Sequence, residues 1–293
     1  MGTRAYMSFG AGVQSTAIAM LAISRDERLL KVTGGVVPEL YIFADTGDEP
    51  KALYPHLEMM RDRITASGAT FRVVRTPVGD LGAHIERAAM LGFKRAEQLP
   101  FFVFDEAKFD EAKFDEAISV KRHCTPFFKV TPLTSYARHY FGIHKGKPYD
   151  GSALQCWLGI SFEEKHRLKV GKIPKAQWAT FFNPLYEMRW HREDCINYLG
   201  SLGIKAARSA CVYCPFHSMD EWRAIKAVPE DWAKALRIDE ALEAAHERGG
   251  AFGFKNPLFL NRWGKRLRDL DMAETDDPQH RLWDNECAGV CGV

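Results

Sequence analysis

The sequence predicts an α/β protein: a parallel twisted sheet with helices on both faces, Rossmann-like, with a C-terminal helical elaboration. Three observations carry that expectation. Short apolar runs alternate with amphipathic stretches through the first 75 residues. The run Glu39 to Ala44 is apolar almost throughout, as strands covered on both faces are. Small residues, Gly10-Ala11-Gly12, join the first apolar run to the first helical pattern, a connection suited to a βα turn.

Taken in order, Ala5 to Phe9 reads as a strand, and Gln14 to Arg25 as a helix with Ile18, Leu21 and Ala22 on one face. Glu39 to Ala44 is a second strand, Tyr54 to Ser67 a second helix and Thr70 to Thr76 a third strand. That succession implies right-handed βαβ units. Trp157 to Ser161 reads as a fourth strand and Phe181 to Tyr186 as a short extended segment. His191 to Leu202 is a helix, with acidic residues in its first turn and Gly203 just past its end. Two further helices follow, Asp220 to Ala227 and Glu230 to Arg248, the second broken by Gly249-Gly250. No linker composition interrupts the chain, so residues 1–217 form the main unit and 218–293 a helical extension with a Cys-containing tail. An insertion near 93–121 holds a FDEAK repeat (104–117) whose five-residue period matches neither helix nor strand. It reads as a charged loop, or as an acidic lid.

The chain has 293 residues, 46% hydrophobic and 27% charged, with 40 basic against 38 acidic side chains. These values describe a globular protein and exclude a disordered one. A net charge of +2 excludes a uniformly basic surface, so nucleic acid would need a local patch. Lys255, Arg262, Lys265, Arg266 and Arg268, interleaved with Phe259 and Trp263, offer one; a solvated helix face is the plainer reading. No apolar run approaches the roughly 20 residues that span a bilayer, and Met1 to Met7 lacks signal-peptide form. The expected compartment is cytoplasmic, where thiols stay reduced. Seven cysteines, one pair of them as Cys-x-x-Cys, then point to metal, iron–sulfur or redox chemistry.

Ser8-Phe9-Gly10-Ala11-Gly12-Val13-Gln14-Ser15-Thr16 places small and hydroxyl residues between a strand and a helix N-terminus, a setting for phosphate or sulfate. It lacks the Walker Gly-Lys-Ser/Thr ending and the third glycine of a dinucleotide fingerprint. Asp45-Thr46-Gly47-Asp48-Glu49 ends the second strand on the ligand side of such a sheet; capping of the next helix is the alternative for Asp45 or Thr46.

SFGAGVQS followed by FADTGDE resembles the adenine-nucleotide α-hydrolase (PP-loop) superfamily, in particular its phosphoadenylyl-sulfate (PAPS) reductase-like family. The resemblance continues through Arg122-His123-Cys124-Thr125 with Lys129 and Pro132-Leu133, and through Gly159-Ile160-Ser161 with Glu163, Glu164 and Arg167. Asn183-Pro184-Leu185, Trp190 and Glu193-Asp194 complete it, over residues 5 to about 217. It implies a HUP-type PP-loop fold and an adenine-nucleotide site at Ser8, Gly10, Ala11, Gly12, Gln14, Ser15, Asp45, Thr46 and Gly159. Lys129 and Arg167 would lie near phosphate or sulfate groups. Gln14 stands where ATP-cleaving members carry Asp, and there the chain looks more like the sulfonucleotide reductases.

Cys211-Val212-Tyr213-Cys214 supplies two thiolates for a metal or cluster, which needs further ligands. Cys124, Cys156, Cys195, His217, Cys287 and Cys291 are the candidates; Cys156, just before a strand, reads as structural and Cys195, within a helix, as an ordinary buried thiol. By resemblance, Cys124 takes the first position of a Cys-Cys pair that helps hold a [4Fe-4S] cluster, with Thr125 in the second. A cluster with an open iron, a fourth ligand from elsewhere, and Zn²⁺ held by Cys₃His with His217 all stay open. Glu286-Cys287 resembles the tail that brings a nucleophilic Cys to the sulfonyl group in reductases of this family; a tail thiol without a role is the alternative.

The resemblance implies one of two enzymes. One cleaves ATP, with Mg²⁺, to AMP and pyrophosphate, activating a substrate such as tRNA or DNA for cluster-assisted sulfur transfer, with a sulfur donor such as a cysteine desulfurase. The other reduces adenylyl sulfate (APS) or PAPS and releases sulfite through Cys287, served by a thioredoxin-like reductant. A non-catalytic nucleotide-binding subunit with structural zinc is the third reading. The oligomeric state stays open.

Overall fold

Five parallel strands in the order β3-β2-β1-β6-β7 form the central sheet: β1 (Arg4–Ser8), β2 (Leu40–Ala44), β3 (Thr70–Val74), β6 (Leu154–Trp157) and β7 (Thr180–Phe182). The computed structural model describes residues 2–103, 118–119, 122–144, 153–168, 178–206 and 209–273. The FDEAK repeat at 104–117 and the tail carrying Cys287 and Cys291 lie outside the described residues.

Strand alternation divides the core. Met7, Tyr41, Phe43 and Trp157 face one side of the sheet, with α1 (Val13–Ile23), α2 (Glu27–Thr33), α3 (Leu53–Ala66) and α7 (Arg192–Ser201). Their neighbours Tyr6, Leu40, Ile42 and Cys156 face the other side, with α5 (Thr131–Tyr140). Every residue of β2 is buried, which is why its sequence is uniformly apolar. α1 is buried from Val13 to Ala22, so it is apolar all round rather than amphipathic. The thiols of Cys156 and Cys195 are buried here, and burial pushes each up to about 12, as inert structural cysteines require.

Beyond the sheet, α4 (Leu81–Met90), α8 (Met219–Lys226) and α9 (Pro229–Glu247) pack into a separate apolar cluster. Leu81, Ile85, Val212, Tyr213, Trp222, Ile238 and Leu242 all belong to it, so residues on both sides of position 217 share one core. Phe102–Val103 (β4), Ile118–Ser119 (β5) and Leu258–Phe259 (β8) form a small antiparallel sheet, in the order β5-β4-β8. No helix among the described residues is long and apolar enough to cross a membrane.

Three expectations need correction. The fourth strand ends at Trp157 instead of starting there; Leu158 to Ile160 are buried as a loop passing over α1. The extended segment at 181–186 stops at Phe182, because Pro184 suits the first turn of a helix and starts α6 (Pro184–Glu187). The basic segment 255–268 is no helix face. It contains β8 and a 3₁₀ turn (Leu267–Asp269), and Arg266 and Arg268 pair with Asp239 and Glu243 of α9.

Asp239 is the anchor of that segment. Its buried carboxylate accepts from the Leu267 amide at 2.7 Å and from Arg266 Nη1 at 3.3 Å. Burial pushes the Asp239 carboxyl above its usual range, and these donors pull it back. Asp239→Ala removes the nearer of two carboxylates from the largely buried Arg266 guanidinium and the acceptor of the Leu267 amide, so urea denaturation should show about 3 kcal/mol of lost stability. A change within about 0.5 kcal/mol would show the pair to be dispensable.

Candidate functional site

The strand order reverses between β1 and β6, and parallel sheets bind ligands at the carboxyl edge of such a crevice. The loop after β1 crosses this point. Ala11 is buried in the left-handed region at φ 57°, a conformation that costs a non-glycine residue energy. Gly12 then caps α1 through extended backbone without a side-chain hydrogen bond, and the first turn of α1 carries no acidic residue. The helix therefore starts without a side-chain cap and without an acidic residue of its own to offset its positive end. Gly159, after β6, packs against this start: a Cβ there would lie 3.2 Å from the Ser15 nitrogen and 3.4 Å from Gln14 Cβ.

Gln14, in the first turn of α1, is held at both ends of its amide. Arg192 Nη1 donates to its Oε1 at 3.0 Å, and its Nε2 lies 3.5 Å from Glu164 Oε2. Buried Glu164 also accepts from the Ser161 amide and hydroxyl and pairs with Arg167. Gln14, Gly159 and Arg167 thus meet at one place. Arg192 joins them without having been singled out in the sequence.

The segment after β2 takes a different part. Asp45 Oδ1 accepts from its own loop at Gly47 N (2.8 Å), while Oδ2 pairs with Arg75 at 2.6 Å. α3 begins only after Ala52, so neither Asp45 nor Thr46 caps it. The rest of the segment grips the Cys-x-x-Cys loop. Val212 N donates to the Asp48 carbonyl (2.9 Å), Tyr213 OH to Asp48 Oδ2 (2.7 Å) and Ser209 Oγ to Glu49 Oε2 (3.2 Å). Thr46 Oγ1 lies 3.1 Å from Cys211 Sγ. Lys234 Nζ, from α9, adds a contact to the Gly47 carbonyl at 3.3 Å.

Cys124, Cys211 and Cys214 line one cavity with Thr46, Thr125, Lys129 and Arg122, closed by Leu81, Leu99, Pro100 and Ala210. A π-helix, Thr125–Val130, arranges one wall. In an α-helix residues five apart point about 140° apart. The wider i→i+5 turn brings Cys124 and Lys129 to the same side. Lys129, expected near phosphate, lies in this thiol cavity, and its Nζ donates to buried Glu49 at 3.1 Å. Burial, and secondarily the Glu49 carboxylate, push the Cys211 thiol far up, opposed by Lys129.

The donors are of the soft kind that a thiolate-bound group takes, in a mostly apolar wall with Arg122 and a Lys129 already paired with Glu49. Among the described residues, no three His, Cys, Asp or Glu side chains converge as a group that could hold a metal ion. His217 does not line the cavity. Its Nε2 lies 2.8 Å from the Cys211 carbonyl and its Nδ1 3.4 Å from Glu221. Cys287 lies outside the described residues. Tyr213 and Ser209 also escaped the sequence reading; only Tyr213's place inside Cys-x-x-Cys could have flagged it.

No protein-family model matches the chain, and no curated protein matches it.

Gly159→Ala tests whether the crossing of the two loops matters. The new methyl must push the start of α1 aside by a few tenths of an ångström. For the adenine nucleotide that the resemblance implies, affinity read by calorimetry should fall about tenfold, equivalent to about 1.4 kcal/mol, with the thermal midpoint little changed. Unaltered affinity would separate Gly159 from the binding site.

Proposed function

We propose that this chain is an enzyme of sulfur chemistry that binds an adenine nucleotide and holds a thiolate-bound iron–sulfur cluster beside it. The observation that carries this reading is the shared cavity of Cys124, Cys211, Cys214 and Lys129, attached through Thr46 and Glu49 to the carboxyl edge of the sheet. The PP-loop and PAPS reductase-like resemblance gives the nucleotide its class, and the uncapped start of α1 supports an anion there.

In this reading, Ser8, Gly10, Ala11, Gly12, Gln14 and Ser15 receive the phosphates, with the first amides of α1 donating to oxygens that gain charge as the α–β bond of ATP breaks. Arg167, through Glu164, fixes the Gln14 amide beside that point. Lys129 adds positive charge on the thiol side. Cys124, Cys211 and Cys214 would hold a [4Fe-4S] cluster, which supplies sulfide binding or electron transfer when present; Zn²⁺ at these thiols is the alternative. The activated acceptor, tRNA or DNA in this proposal, would then take sulfur from a donor such as a cysteine desulfurase.

A second reading has its own observation. Gln14 is neutral and engaged at both ends by Arg192 and Glu164, so it offers no carboxylate for Mg²⁺. That favours APS or PAPS as the nucleotide, with sulfite released through Cys287 and a thioredoxin-like reductant restoring the thiol.

Anaerobic purification with iron and sulfide analysis and absorbance near 400 nm, followed by separate ATP and PAPS assays, tests these readings. Iron and sulfide in the wild type, with at least tenfold less in Cys211→Ala, is the expected result. AMP and pyrophosphate formation supports the first enzyme, and Cys287-dependent sulfite the second. Stoichiometric zinc, with neither product, would overturn both.

A further inference from the structure

The stretch from Leu81 to Pro100 leaves the thiol cavity and returns to it. Leu81 at its start and Leu99 and Pro100 at its end line the cavity, and α4 carries the chain about 14 Å outward in between. At the outer turn three large apolar side chains lie open: Met90 is 69% exposed, Leu91 54% and Phe93 41%. The apolar face of α4 itself, with Leu81, Ile85, Ala88 and Ala89, is buried in the core, so the turn is a patch of its own.

The segment between α9 and β8 lies along this turn. Arg248 Nη2 donates to the Ala89 carbonyl at 3.4 Å, and Phe252 N donates to the Phe93 carbonyl at 2.7 Å. A Cβ on Gly253 would lie 3.2 Å from the Lys94 carbonyl. Together, residues 87–95 and 248–255 carry five basic side chains, Arg87, Lys94, Arg95, Arg248 and Lys255, and no acidic one. All five are exposed, and none forms an ion pair among the described residues. Of the flanking acids, Glu86 pairs with Arg237 of α9, Glu97 lies 3.2 Å from His84, and exposed Glu247 ends α9.

In a chain of net charge +2, this is a local excess of the kind that phosphates need. In the basic run at 255–268, by contrast, Arg266 and Arg268 are paired to α9. Phe93 adds a ring face on which a base can stack, which an unpaired base does most readily. An anionic membrane matches less well, because α4 turns its apolar face inward and leaves none to lie in a bilayer surface.

We infer that the turn at 90–95, with residues 248–255, is a docking surface for a single-stranded polynucleotide, whose phosphates meet the five cations and one of whose bases stacks on Phe93. The inference deepens the reading of the acceptor as a nucleic acid, on which it rests for the link to the cavity. The about 14 Å from the turn to the cavity equals about four phosphate steps along one strand.

The test is fluorescence anisotropy of labelled RNA and DNA strands of about 15 nucleotides, and of the corresponding duplex, titrated with the full chain at several salt concentrations. Lys94→Ala combined with Arg95→Ala should weaken binding about tenfold and flatten the slope of log K against log salt by about 1.4. Phe93→Ala should weaken single-strand binding about tenfold, keep the salt slope and leave duplex binding in place. Arg268→Ala, which removes a basic residue paired with Glu243, should change neither. Thermal midpoints near that of the wild type would show that these exposed substitutions leave the fold intact. Tighter binding of RNA or of DNA names the source, and either supports the surface. A wild-type chain that binds neither strand at low salt, equal binding by all variants, capture of anionic vesicles in place of the strands, or a dimer of this chain formed through the patch would overturn the inference. AMP and pyrophosphate formation by a chain that fails these binding tests would leave the proposed reaction standing. Strand binding with these signatures but no AMP, pyrophosphate or sulfite would support the surface and overturn the reaction.

Discussion

The site depends on a clasp between two loops. Residues 46 to 49, at the carboxyl end of β2, hold residues 209 to 213 through backbone, hydroxyl and carboxylate contacts. The clasp joins the carboxyl edge of a parallel sheet to a pair of cysteines that the chain reaches only after β6, β7 and α7. Asp48 makes the rigid part, with Tyr213 OH and the Gly82 amide both donating to one carboxylate oxygen. Gly47 makes it sterically feasible: it sits at φ 84° with Asp80 so close that any Cβ would collide with it.

From that clasp the remaining parts take their places. α4 starts beside Asp48 and builds a core with α8 and α9, so the C-terminal helices buttress the Cys-x-x-Cys loop as well as extending the fold. The π-helix brings Cys124 and Lys129 to the same cavity from the other side. The loop after β1, by contrast, is held by a second network through Gln14, Glu164, Arg167 and Arg192. Two polar networks thus serve two halves of one carboxyl edge.

The sheet was legible in the sequence because strands buried on both faces are continuous apolar runs, and β1, β2 and β3 lie within two residues of their expected bounds. The small sheet was not, since its strands of two residues are too short to carry any period. α5 follows directly on a π-helix, so no cap separates the two. At the site, Cys-x-x-Cys announced two thiols by spacing alone. Cys124 joined them only through a family resemblance, and the structure brings all three to one cavity. Glu49 was visible as one acid among several. Its part comes from burial and from donors distant in sequence, which no local pattern encodes.

The central claim is that the nucleotide edge and the thiol cavity form one site. Alkylation of the metal-free protein, quantified by mass spectrometry at each cysteine with and without saturating ATP or PAPS, measures this directly. Bound nucleotide should slow labelling of half-buried Cys124, and of buried Cys211 and Cys214, several-fold. Labelling rates unchanged at all three, with binding confirmed by calorimetry, would contradict the account.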